Sequence, residues 1–219
     1  AVSVVIPGAV LYLPLEDLID REKEIERLTK EQERLTKEIA RCEGMLNNQN
    51  FVNKAPAAKV EAEKEKLEKY KEMIKLVESF TANGGDKVSV MANVTAVMKM
   101  TFPETFFWVG FYVVKDNVLL VGPFQGTPAC MMIKYGKGVC GTAWERRETL
   151  IVPDVELFDG HIACSSLSRS EIVVPVMLDG EVVAEIDIDS TDVASFDETD
   201  RTYLEEVAAM VAPYFGQNS

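Results

Sequence analysis

Apolar residues recur along the first part of the chain in steps of three, four and seven: Leu18, Ile25, Leu28, Leu35, Ile39, Cys42 and Leu46, with Gln32 taking one seam position. That spacing predicts a heptad helix over residues 15–46. The stretch NNQNFVNKAPAA, with Pro56, stops it, and a second helical pattern follows at Val60, Leu67, Tyr70, Ile74 and Val77. Two helices with apolar seams joined by a loop of this length fold back as an antiparallel α-helical coiled-coil hairpin. At 1.5 Å per residue the first would be about 45 to 50 Å long, so it projects as an arm.

Beyond residue 80 the period changes. FFWVGFYVV and NVLLVGPF are β-rich runs separated by Lys115 and Asp116, and EIVVPVML and EVVAEIDID are separated by Asp179-Gly180, a hairpin signal. Both pairs are expected to be antiparallel. Helical patterns occupy KVSVMANVTAVMKM before the first pair, GVCGTAWERRE between the pairs, and DETDRTYLEEVAAMVAPYF at the end, where Asp197 or Thr199 can cap the helix. An antiparallel sheet with helices packed against it is an α+β sandwich. About 140 residues suffice for one such domain.

Charge separates the same two parts. The 219-residue chain carries a net charge of -13. Residues 1–80 hold 14 Lys+Arg against 16 Asp+Glu, leaving 9 against 20 for the rest. A near-neutral arm thus precedes a strongly acidic domain, which argues against a general nucleic-acid binder. No run approaches the roughly 18 apolar residues of a membrane span, and AVSVVIPGAVLYLP lacks the basic start of a secretory signal. The expected location is the cytoplasm, with no membrane partner. Ala1 in place of Met is what a fragment or processed product would carry. Four cysteines in such a chain point to reduced, catalytic or redox-active thiols more than to a disulfide framework.

Three of those thiols fall in the acidic domain, each on a different element. Cys130 lies in GPFQGTPAC at the start of a strand, Cys140 in GKGVCGTA at the mouth of a helix, and Cys164 in GHIACSSLSRSE, within the loop from Pro153 to Ser170. Loops of that length in a compact domain tend to be lids or binding segments. Cys140 also fits a small buried packing residue, whereas the polar neighbours of Cys164 fit that role poorly. His161, the single histidine, stands three residues before Cys164 and fits a structural hydrogen-bonder better than an acid-base group. In EVVAEIDIDS the strand period puts Glu185, Asp187 and Asp189 on one face and Ala184, Ile186 and Ile188 on the other. This acidic row is either a solvent-facing sheet surface or a pocket whose carboxylates hold a cation or donate a proton.

Two resemblances bear on function. AVLYLPLEDLIDREKEIERLTKEQERLTKEIARCEGMLNNQNFVNKAPAAKVEAEKEKLEKY, within residues 1–75, resembles the C-terminal coiled-coil arm of bacterial valyl-tRNA synthetases, in which a short strand leads into a helix pair that packs on tRNA and does no chemistry. The synthetase's aminoacylation motifs are absent, so this chain by itself is not expected to charge tRNA. WVGFY, GPFQGTPAC, GKGVCGTA, VPDV, GHIAC, SEIVVPV and DIDS, within residues 76–219, resemble the free methionine-(R)-sulfoxide reductases, which are built on a GAF domain. The fold so implied is a GAF-type antiparallel sheet with flanking helices behind the coiled-coil hairpin.

By that resemblance Cys164 is the nucleophile, Cys130 the resolving thiol and Cys140 a third cysteine that could share the resolving role. Trp108 and Tyr112 would wall the pocket, and Glu171, Asp187 and Asp189 would hold free methionine sulfoxide and assist protonation of its oxygen. Two positions depart from the family: Ser165 stands where many relatives carry Asp, and Glu185 where an apolar residue is expected. The implied reaction needs no metal or organic cofactor, only an external dithiol reductant such as thioredoxin. Further implied partners are tRNA, through the arm, and a second copy of the chain. A ligand-sensing GAF module without turnover and a synthetase's tRNA-binding tail are the competing readings; a sensor needs no thiol pair, and a tail needs the arm to touch tRNA.

Overall fold

The computed structural model describes residues 2–6, 9–13, 57–82 and 84–216. The first helix of the expected hairpin and the loop after it lie outside these residues. Packing divides the chain into two units, 1–63 and 64–219. In the first, β1 (Val2–Ile6) and β2 (Ala9–Leu13) pair antiparallel, with Val2 opposite Leu13 and Ile6 opposite Ala9. The strand expected to lead into the arm is therefore the second of a pair.

The second unit is built on an antiparallel sheet of β3 (Trp108–Lys115), β4 (Val118–Gln125), β5 (Met132–Lys134), β6 (Leu150–Val152), β7 (Ser170–Leu178) and β8 (Glu181–Ser190), in the order β5-β4-β3-β8-β7-β6. Both expected hairpins form. Asp179 and Gly180, with φ of 51° and 83°, make the β7–β8 turn. At β3–β4 the turn residues are Asp116 and Asn117 (φ 51° and 61°), one place later than the Lys115-Asp116 break read from the sequence. Two-residue turns with positive φ match the strand twist, and Asp, Asn and Gly tolerate that conformation.

Helix α1 (Ala57–Ala82) runs without interruption into this unit. Residues 64–75, which the resemblance assigns to the arm, supply Tyr70, Met73 and Ile74 to its core, and Val77 follows on the same face. Helix α2 (Lys87–Thr101) starts at Asp86, whose carboxylate accepts from Val88 N at 2.8 Å and Ser89 N at 3.0 Å. Helix α4 (Glu198–Val211) starts at Asp197 in a capping box with Asp200, satisfying N–H groups that a first helical turn leaves open. All three cover one sheet face, meeting Val109, Phe111, Ile172, Val174, Ala184, Ile186 and Ile188.

Helix α3 (Gly138–Arg146) lies in the packing layer of the opposite face. There Val139, Cys140 and Ala143 meet Trp108, Tyr112, Leu119, Ile133 and Val173. Gly141 permits the approach, because a Cβ there would collide with the Lys134 carbonyl. Among the described residues, no helix is long and apolar enough to cross a membrane.

Candidate active site

The register of three central strands assembles the acidic residues. Asp189 lies opposite Trp108 on one side and Glu171 on the other; two residues along, Asp187 lies between Gly110 and Val173, and Glu185 between Tyr112 and Pro175. These rows share the face covered by α3. Glu185 is 0% exposed and Glu171 and Asp187 each 6%, so the acidic strand is not a solvent-facing surface. The period located its face, and the helix laid over that face decides its environment.

Burial raises the pKa of all four carboxyls, and repulsion from a neighbouring carboxylate adds to it at Glu171, Glu185 and Asp187. Glu171 is held well above the ordinary carboxylate range by burial and by Asp187, and Asp187 by burial and by Asp189. Glu185 is raised by burial and by Asp187. Burial lifts Asp189 to about 6, with a hydrogen bond from Ser168 opposing it. Both Glu185 oxygens and Asp187 Oδ1 have no hydrogen-bond partner among the described residues. A buried carboxylate without a donor is costly, so these groups favour the protonated form.

The thiols converge on this row. Cys130, just before β5, and Cys164, in the loop before β7, are joined by a disulfide with Cα atoms 5.3 Å apart. Cys140, in the first turn of α3, is buried, and its thiol points to Glu171 Oε1 at 3.8 Å. Burial, Asp187 and Glu171 push that thiol upward, so it is a poor thiolate at neutral pH. Cys140 Sγ and one carboxylate oxygen each of Glu171 and Asp187 lie within 4.8 Å of one another, a set that could hold a metal ion.

A cavity of about 30 Å³ brings together Cys140, Cys164, Glu171, Asp187 and Asp189, with His161 and Ser168 completing its polar lining. Ser168, which the sequence did not single out, is buried in the Ser-rich segment that returns the chain to β7. Backbone bonds fix the base of that loop, Val155 N to Arg169 O at 3.0 Å and Arg169 N to Ser190 O at 2.8 Å. His161 lines the cavity with its imidazole pKa lowered by burial.

Trp108 and Tyr112 are placed beside this cavity and do not line it. Trp108 stacks on Phe124 at 5.2 Å and on Tyr112 at 6.0 Å, and its Nε1 donates to the Thr127 carbonyl at 3.0 Å. Gly110 leaves room for the indole, since a Cβ there would stand 2.8 Å from Trp108 Cη2. The Tyr112 hydroxyl donates to the Cys130 carbonyl at 3.0 Å and thus positions the backbone of a disulfide cysteine. Ser165 Oγ accepts from Leu167 N at 3.2 Å, a turn contact within the loop.

An antiparallel sheet with three helices behind it and a cavity lined by thiols and carboxyls in front has the architecture of a GAF domain. Residues 83–213 match the GAF domain family, and residues 20–81 match the valyl tRNA synthetase tRNA binding arm. The chain is 36% identical over 146 residues to the free methionine-R-sulfoxide reductase of Escherichia coli, covering 67% of this chain and 88% of that protein. A free methionine-R-sulfoxide reductase from Neisseria meningitidis, solved with its substrate, superimposes with a TM-score of 0.65 at 47% identity, covering 67% of this chain and 88% of the other. The chain therefore belongs to the GAF-domain family of free methionine-R-sulfoxide reductases. Its other part is 57% identical over 76 residues to the valine–tRNA ligase of Clostridium perfringens, which is 35% of this chain and 9% of that enzyme.

Proposed function

We propose that this chain reduces free L-methionine-(R)-sulfoxide to methionine, with Cys164 as nucleophile and Cys130 as resolving thiol. The observation that carries the proposal is the Cys130–Cys164 disulfide beside a cavity lined by Glu171, Asp187 and Asp189, carboxyls whose proton affinity burial raises. A sulfoxide sulfur is electrophilic only when its oxygen accepts a proton or a strong hydrogen bond, so a neutral acid next to a thiolate is the required pair. Glu171, Asp187 and Asp189 supply that acid, and whichever of them stays ionised holds the substrate ammonium.

The electron balance closes on this chain's own groups. The Cys164 thiolate attacks the sulfoxide sulfur, and the oxygen passes to Cys164, leaving methionine and a sulfenic acid. Cys130 attacks that sulfenic sulfur, water departs, and the disulfide forms. Two electrons from an external dithiol of the thioredoxin class then reopen it by exchange. Cys164 is exposed and so meets that reductant directly.

The cavity in the disulfide-closed state has room for about one water. Methionine sulfoxide is several times larger, so substrate enters after reduction, when the loop carrying Cys164 is released. Trp108 and Tyr112, packed beside the closed cavity, then become its aromatic wall. Selectivity for the R epimer is taken from the relatives. Dithiol consumption tests the proposal: turnover is expected with free methionine-R-sulfoxide and not with the S epimer or a peptide-bound sulfoxide. Failure with the free R epimer overturns it.

A second role rests on the arm match over residues 20–81. We assign a tRNA-contacting arm to residues 1–75, of which 64–75 also pack in the reductase unit, and all the catalytic groups to residues 76–219. The near-neutral arm predicts weak tRNA binding that falls with salt.

A further inference from the structure

We propose that Cys140, Glu171 and Asp187 form a binding site for a borderline-soft divalent cation of the Zn²⁺ type. Their three ligand atoms are buried and lie within 4.8 Å of one another, with Cys140 Sγ 3.8 Å from Glu171 Oε1. In a tetrahedral zinc site with bonds of about 2.3 Å to sulfur and about 2.0 to 2.2 Å to oxygen, ligand atoms stand roughly 3.3 to 3.6 Å apart. Closing the triad around an ion from separations of at most 4.8 Å takes ligand-atom movements of up to about 1.5 Å.

A second observation, separate from the clustering, points to a cation. Asp187 is 6% exposed, lines the cavity, and its Oδ1 has no hydrogen-bond partner among the described residues; neither do the two oxygens of Glu185 on the same face of β8. The cavity lining contains no Lys or Arg. The unpartnered Asp187 Oδ1, beside the Cys140 thiol, offers a lone pair to a positive centre. An ammonium satisfies only the oxygens; a zinc-type ion satisfies sulfur and oxygen together. The cavity beside the triad has room for about one water, the fourth ligand.

This site differs in kind from the redox pair. Cys130 and Cys164 are tied to each other, and Cys140 is the free thiol among the described residues. The ion displaces the proton of Cys140 and any held by Glu171 and Asp187, releasing them to solvent, and needs no electron transfer. Since it occupies two carboxylates assigned above to substrate, its bound form is an inhibited form of the enzyme.

Co²⁺ is the probe, because a thiolate ligand gives it a charge-transfer band in the near ultraviolet that carboxylates alone do not. The full chain carrying Cys42→Ser, in its disulfide form and without reductant, is titrated with Co²⁺ and then Zn²⁺. The expected result is a band saturating at one Co²⁺ per chain, displaced by Zn²⁺ and lost in Cys140→Ser. Glu171→Gln and Asp187→Asn, which keep side-chain shape, are each expected to weaken binding by at least about tenfold, since even an outer-shell partner is worth that much. No band, a band surviving Cys140→Ser, or unchanged affinity in both carboxamide variants overturns the site. The readout needs no turnover, so it stands apart from the test of the reductase.

Discussion

Cys164 is exposed while Cys140 is buried on the sheet-facing side of α3, although both are small thiols in Gly- or Ser-rich text. That difference predicts a division of labour. Cys164→Ser should abolish even a first turnover, whereas Cys130→Ser should release about one methionine per enzyme before stalling. Equal bursts from the two variants in a single-turnover assay would remove Cys164 from the nucleophile's role. The carboxyls make a second prediction, on stability. Asp189 titrates near 3.8 ordinarily and at about 6 in the fold, so the folded chain holds its proton more tightly than the unfolded one. The contribution of Asp189 to stability is then greatest below about pH 4 and is lost as pH rises through about 6, and those of Glu171, Glu185 and Asp187, also raised, are lost as they ionise. Asp189→Asn should flatten the decline between these pH values by up to about 1.4 kcal/mol per pH unit. Denaturant melts at pH 4, 5 and 6 check this, and an unchanged slope refutes it. Which face holds these acids was legible in EVVAEIDIDS, because the strand period is geometric. Their burial was not, because it depends on α3 packing from elsewhere in the chain. For the same reason the sequence flagged Glu185 as out of pattern and could not say that it is buried without a partner.

At the scale of elements, local signals carried furthest where the cause is local. The Asp179-Gly180 turn was readable, and the cap was narrowed to Asp197 or Thr199, because both features are fixed within a few residues. Asp197 is the cap, and Thr199 N is one of its donors. Asp200 shows the opposite case. It closes the capping box on Asp197 N at 2.7 Å, and it also accepts from Tyr70 Oη at 2.6 Å and from Lys66 Nζ at 2.6 Å, both on α1. The box can be guessed from the spacing of the two aspartates, but the α1 contacts span more than a hundred residues and leave no periodic trace. Asp200→Ala loses the box and strands the buried Tyr70 hydroxyl. Its destabilisation should exceed the roughly 0.5 to 2 kcal/mol of a cap alone. Tyr70→Phe, which leaves the cap intact, should cost less. A Tyr70→Phe variant that melts at the temperature of the parent chain would mean that Asp200 does not join α1 to α4. The Tyr214 hydroxyl, which donates to the Thr81 carbonyl, makes a further tie between the end of α1 and the C-terminal segment.

Across the whole molecule, the resemblances and the packing place the junction differently, and the difference has a physical content. The tRNA-arm match extends to residue 81, yet the packed unit begins at residue 64, within α1. One helix thus carries arm-like sequence while its apolar side, Tyr70, Met73, Ile74 and Val77, belongs to the core of the reductase domain. The sequence exposed this possibility through the absence of a breaker between Pro56 and Asn83, but a heptad seam and a domain-facing stripe look alike until the partner is known. The consequence is a sharp asymmetry between two truncations. Removing residues 1–58 leaves that stripe, the thiols and the carboxyls in place, and should give a folded enzyme with turnover close to that of the full chain. Removing residues 1–80 strips four buried side chains from the helical layer, at about 2 to 5 kcal/mol each by the scale of core truncations. Since a domain's net stability is only about 5 to 15 kcal/mol, the shorter fragment should be largely unfolded. Circular dichroism melts and dithiol consumption distinguish the outcomes. A folded and active fragment beginning at residue 81 would show that α1 is an appendage, and a folded but inactive one beginning at residue 59 would place the arm in the active site.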